Sequence, residues 1–236
     1  MKRTGIVSGT LFSNASVFGE MIDQKIENKY GEVIAYASND IVFLPRHKSA
    51  NKKYTLPHQI NHLANMLALK ELGVTQVIGV ASTGSLKKHI TPSSILVPND
   101  FISLYQLPTT IENEAKHMVP KFDSVVREGL IEAIIRTKQS FFDGGVYWQV
   151  PGPRLETKAE ITMMASFADV VGMTIASEAS VCLELELPYA AICSVDNYAN
   201  GIGDELLSME NIVKNSSANA NAVIEIIKFY TDQCDD

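Results

Sequence analysis

A chain of 236 residues, 46% of them hydrophobic, can bury one sizeable core, and no linker-like stretch divides it. Its 27 acidic against 20 basic residues leave a net charge of −7, which excludes a general nucleic-acid binder, because such proteins need a basic surface to displace counterions. Cys182, Cys193 and Cys234 form no Cys-x-x-Cys pair and no apolar run reaches the length of a signal segment or membrane span, so a soluble, cytoplasmic protein with incidental thiols is expected.

In chain order, 4–8 is an apolar run entering Ser8-Gly9-Thr10, a strand feeding a small-residue turn. Such a turn either cradles an anion with its amides and hydroxyl or simply opens the domain. It is not G-x-G-x-x-G, so a dinucleotide site is not supported. Segments 33–36 and 40–44 read as strands around a Ser-Asn-Asp turn, the second running directly into Arg46 and His47. A guanidinium at a strand end can hold an oxyanion bidentately, or the pair can belong to a solvated loop. Residues 48–54 read as a polar, basic, mobile loop.

Residues 58–72 carry apolar positions at helical spacing and stop at Gly73. His58 and His62 lie one turn apart, but Gln59 stands where a zinc-protease motif needs Glu and no third ligand is evident, so no metal is expected. Segment 75–81 is a buried strand, and Ser82-Thr83-Gly84-Ser85 reads as a second small-residue turn. A strand at 95–97, a long irregular loop over 103–120 containing His117, and an amphipathic helix over 122–138 follow.

Residues 144–178 then form a strand (Val146, Tyr147, Trp148, Val150), a Pro151-Gly152-Pro153 turn, a helix and a second strand ending at Thr174. Thr157 with Glu160 is a capping-box pattern that starts the helix near Lys158 and leaves Glu156 at the mouth of the loop. A helix over 176–187, a strand over 189–195 that delivers Asp196 and Asn197, and a long helix over 211–230 complete the chain. The alternation argues one α/β domain spanning 1–236, with a central mixed, largely parallel twisted sheet flanked by helices. Polar groups recur at its strand ends (Thr10, Arg46, His47, Ser82, Glu156, Thr174, Asn197), which is how one site is assembled from many loops.

Over nearly its whole length the chain resembles the trimeric purine nucleoside phosphorylases and methylthioadenosine/methylthioinosine phosphorylases. The motifs are LPRH (44–47), PHQINHLANMLALKELGV (57–74), GSL (84–86), GGVYWQVPGPRLETKAEI (144–161), ADVVGMT (168–174) and NYANGI (197–202). The resemblance implies phosphorolysis of a purine nucleoside to free base and a ribose 1-phosphate, without metal or organic cofactor, in a homotrimer with sites near subunit interfaces. It assigns Thr10, Arg46, His47, Ser82 and Thr174 to phosphate, Met173 to ribose, and Glu156 and Asn197 to the base. An amide at Asn197 donates to purine N7, and an ionised Glu156 accepts the N1 hydrogen that only a 6-oxopurine carries.

The same resemblance sets Met209 where a His serves the 5′-hydroxyl in nucleoside phosphorylases. A thioether there suits a 5′-methylthio group, or it is core filler. S-methyl-5′-thioinosine is therefore the expected substrate, with methylthioadenosine or plain inosine and guanosine as alternatives, and a catalytically silent nucleoside-binding protein as an alternative of another class. Ala81 in place of a hydroxyl, Lys48 in place of Gly and Asn51 near an expected His depart from the family pattern at the phosphate site, where Lys48 could compensate. Asp196, in place of Thr, either alters base recognition or orients Asn197. Cys193 lies inside an apolar strand, which disfavours a Cys-His hydrolase.

Overall fold

The computed structural model describes residues 2–49, 54–203 and 209–233, with the backbone alone for 209–211. Eleven strands are described: β1 (Thr4–Ser8), β2 (Ile22–Asn28), β3 (Gly31–Ala37), β4 (Ile41–Pro45), β5 (Gln76–Ser85), β6 (Ile95–Val97), β7 (Asp100–Ser103), β8 (Phe141–Asp143), β9 (Val146–Gln149), β10 (Val170–Gly172) and β11 (Tyr189–Tyr198). The α-helices are α1 (His62–Glu71), α2 (Ser124–Arg136), α3 (Lys158–Met164), α4 (Ile175–Glu184) and α5 (Met209–Asp232).

All strands join one mixed sheet, and β5 is its hub. β5 pairs in parallel with β1 on one side and with β11 on the other. At its carboxyl end it leaves β1 and pairs antiparallel with β10 through Gly84 and Ser85. The sheet therefore forks where β5 ends, one branch running β11-β6-β8 and the other β10-β9-β7. Diverging strands leave space between their carboxyl ends, the usual place for a ligand in an α/β sheet. The central strands are buried on both faces: all five residues of β1 and all five of β4 are buried.

Local chemistry sets several boundaries. Thr157 and Glu160 form the full capping box at α3, as their spacing predicts. α1 starts at His62 rather than 58, because Asn61 accepts the Ala64 amide and caps the helix, while Pro57–Gln59 forms a separate 3₁₀ turn. Ser82 to Ser85 is strand, not turn, because β11 pairs alongside it as far as Tyr198. β2 is half-exposed and polar, and its pairing with β3 rather than its own pattern makes it a strand. Among the described residues no helix is long and apolar enough to cross a membrane.

Candidate active site

A cavity of about 240 Å³ opens at the fork. Thr10, Arg46, His47, Ser82, Glu156, Met173, Thr174 and Asn197 all line it, so the polar groups that the sequence placed at separate strand ends converge. Met209 opens α5, but its side chain lies outside the described residues; Ile212, three residues on, is in the cavity wall. Asn51 and Cys234 also lie outside the described residues.

Arg46 follows β4 directly and is buried. Nη1 donates to the Val80 carbonyl (2.7 Å), and Nη2 to the Val7 carbonyl (2.8 Å) and to Glu178 Oε2 (3.2 Å). Nε stands 2.6 Å from Glu178 Oε1, a close ion-pair approach rather than an aligned hydrogen bond. The bidentate fork is thus taken by a carboxylate of the protein itself. Of the five guanidinium N–H groups three are hydrogen-bonded and the Nε one faces Glu178; the fifth, on Nη1, is left over, and Nη1 is the guanidinium atom that flanks Gly9.

His47 is fixed by the Thr55 carbonyl, 2.7 Å from Nδ1, which therefore carries the ring proton. Burial, reinforced by the charge on Arg46, pushes its pKa down to about 4. The neutral ring turns Nε2, an acceptor, toward Gly9, and it stacks on Tyr54 with centroids 4.7 Å apart. A Cβ on Gly9 would lie 2.8 Å from Nε2, so glycine is required there by close approach.

Thr174 stands at the start of α4. Its amide and that of Ile175 donate to the Tyr147 hydroxyl, and the Ser177 amide to Gln149 Oε1. These donors are satisfied inside the protein, which leaves the Thr174 side chain, making no cap hydrogen bond, to face the cavity. Glu156 is buried, and Asn200 holds its backbone carbonyl at 3.0 Å. Burial raises its pKa above the ordinary carboxylate value.

β11 carries a bulge between Val195 and Asn197 that makes Asp196 the extra residue. Bulges re-aim side chains, and here Asn197 turns to the cavity beside Gly84 while Asp196 turns to α5. Asn197 Nδ2 donates to the Tyr198 carbonyl at 2.8 Å and keeps one hydrogen free. Asp196 is fully buried and is no part of the cavity wall; Ser194 and Asn219 donate to its Oδ1, and the Ser82 and Ser216 hydroxyls also face the carboxylate.

The sequence profile of the Phosphorylase superfamily matches residues 18–230. The chain belongs to that superfamily. It is 40% identical over 230 residues to a probable 6-oxopurine nucleoside phosphorylase of Archaeoglobus fulgidus, covering 95% of this chain and 93% of the other. It is 33% identical over 231 residues to a probable S-methyl-5′-thioinosine phosphorylase of Methanocaldococcus jannaschii, covering 95% and 90%. Among solved structures, methylthioadenosine phosphorylase from Schistosoma mansoni in complex with adenine shares the fold, with a TM-score of 0.87 at 22% identity over 100% of this chain and 92% of that one.

Within this phosphorylase fold the structure adds wall residues that sequence reasoning missed: Tyr54, Leu56, Leu155, Val171 and Ile212. Ile212 had a signal, since it lies on the same α5 turn as Met209. Glu178 had none, because it is separated from Arg46 by 132 positions. Lys48 does not compensate at the anion end: its ammonium bonds the Tyr36 hydroxyl, and it does not line the cavity.

Proposed function

We propose that this protein is a purine nucleoside phosphorylase that prefers 6-oxopurine nucleosides, with S-methyl-5′-thioinosine as its substrate. One observation carries the reading. Arg46 reaches the cavity at Val80 of β5, whereas Asn197 rests against Gly84 of the same strand. At strand spacing these points are roughly 13 Å apart, which suits anion, sugar and base in file. The relatives named for 6-oxopurine nucleosides and for methylthioinosine support the same choice.

Phosphate would sit beside Ser82 at Arg46, Thr10 and Thr174, with its own hydroxyl donating to Nε2 of the neutral His47, and attack C1′ from below the ribose, over Met173. An oxocarbenium-like transition state places positive charge on the sugar and negative charge on the departing base. Asn197 donates to N7 to hold that charge, and ionised Glu156 accepts the N1 hydrogen. A 6-aminopurine offers a lone pair at N1, which the carboxylate repels. Leu56 and Ile212 give the cavity apolar wall suited to a methylthio group, and Met209 is assigned to the same end.

The proposal includes inorganic phosphate as co-substrate, no metal or organic cofactor, a homotrimer, and a cytoplasmic location. The exposed apolar side chains of Leu104 and Phe167 are available to subunit contacts. The test is phosphate-dependent base release across methylthioinosine, methylthioadenosine, inosine, guanosine and adenosine. The expected order puts methylthioinosine first and both 6-amino nucleosides last; adenosine or methylthioadenosine leading would reverse the base assignment. Tight nucleoside binding with no release at any phosphate concentration would favour the silent binding protein instead.

A further inference from the structure

The Arg46–Glu178 pair lies beside the cavity, yet Glu178 lines no part of it. Glu178 sits in the first turn of α4 with none of its surface exposed. Its Oε2 accepts from the Tyr189 hydroxyl (2.8 Å) as well as from Arg46. β5 makes room for this cluster at Gly79, where a Cβ would collide with the Tyr189 hydroxyl and stand 2.9 Å from Glu178 Oε2. Three elements, β5, α4 and β11, are therefore shaped around a carboxylate that never meets the ligand.

Arg46 is the only Lys or Arg among the described residues lining the cavity. A guanidinium cannot lose its proton, and its charge opposes the burial that raises the Glu178 pKa; the ionised carboxylate cancels that charge. His47 beside it is neutral, and Lys48 is held by Tyr36. We infer that Glu178 is a positioning residue that sets the charge of the anion subsite: it takes the Nε/Nη2 edge of Arg46 and cancels its charge, so that one Nη1 N–H faces the anion. This rests on the proposal that phosphate occupies the Arg46 end. Such a subsite grips its anion through hydrogen bonds with little net Coulomb attraction, which favours phosphate that exchanges readily and a sugar phosphate product that leaves.

The test measures binding of inorganic phosphate and of sulfate, by calorimetry, to the full chain as wild type, Glu178→Gln and Tyr189→Phe, with steady-state KM for phosphate and kcat alongside. Glu178→Gln keeps the shape and an acceptor oxygen but uncovers the charge on Arg46. It is expected to bind both anions more tightly, by about tenfold, with a lower phosphate KM and a lower kcat. Tyr189→Phe removes a hydrogen bond and no charge, and is expected to stay within about twofold of wild type for both anions. A merely structural role predicts the opposite direction, weaker binding in both variants.

Equal or weaker phosphate binding by a folded Glu178→Gln protein would overturn the inference. If that variant does not fold, the wild type decides: its phosphate affinity is expected not to fall as sodium chloride is raised, and a loss of about tenfold would reveal a net cationic subsite and overturn it. Failure of the wild type to bind phosphate at all would instead sink the phosphorolysis proposal, which is a separate result.

Discussion

In the proposed reaction Glu156 and Asn197 make the substrate choice, and each can be tested alone. Glu156 titrates above the usual carboxylate range because burial disfavours its charge. Its carboxylate accepts N1–H only when ionised, so kcat/KM for methylthioinosine should fall as pH drops through that raised value. Glu156→Gln should lower kcat/KM by about 10- to 100-fold, the cost of a hydrogen bond to a charged group, and should flatten this acid limb. A limb that persists unchanged in the variant would assign it to another group. Asn197→Asp should shift the ratio of 6-amino to 6-oxo turnover by about tenfold toward 6-amino bases, since a protonated Asp can still donate to N7 beside an altered base edge. Gly9→Ala forces a Cβ into His47, so phosphate KM should rise with the base preference unchanged. Glu156 was legible in the sequence because it stands directly before a capping box, and Asn197 because it closes an apolar strand; the pairing that occupies Arg46 was not, because only the tertiary fold brings Glu178 to it.

At the scale of elements, α4 is held against the sheet by Tyr147 and Gln149 of β9, which satisfy the amides of its first turn. Tyr147→Phe leaves two buried amides, those of Thr174 and Ile175, without this acceptor. It should destabilise the protein by about 1–3 kcal/mol in urea unfolding and lower kcat/KM through displacement of Thr174; unchanged stability would show that the hydroxyl is not their acceptor. The α3 cap was readable because its two residues lie three apart in the chain. The bulge at Asp196 was not, since it arises in the pairing with β5 just after β11 leaves β6. It also turns the Asp196 side chain out of the cavity wall, where it joins β11 to α5 through Asn219, while Asn215 holds its carbonyl at 2.8 Å. The extension of β5 through Ser85 was hidden for the same reason, because small hydroxyl residues resemble a turn until neighbouring strands pair with them.

For the whole molecule, burial keeps two histidines neutral, and this makes stability depend on pH. His62 is buried with its pKa lowered from 6.5 to about 3, and His47 is lowered to about 4. Between pH 6.5 and those values the unfolded chain binds protons that the native chain does not, so stability falls as pH falls, by up to about 1.4 kcal/mol per unit for each histidine. Glu156, Glu178 and Asp196 are raised by burial and oppose this trend in the acid range, so a difference isolates the effect. His62→Gln should show a shallower loss of urea stability from pH 6.5 to 4.5 than the wild type; equal slopes would mean that His62 is protonated in the native state. The α/β class and the order of most elements were legible from alternating apolar runs. The fork that creates the cavity was not, because it depends on β5 taking three partners.

In the proposed reaction phosphate, not water, takes the sugar. Following hypoxanthine release from methylthioinosine while inorganic phosphate is varied from none to saturation separates the two acceptors. Phosphorolysis gives negligible release without phosphate, a saturable rise with it, and one 5-methylthioribose 1-phosphate formed for each base released. Release that proceeds at the same rate without phosphate, yielding free methylthioribose, would contradict it.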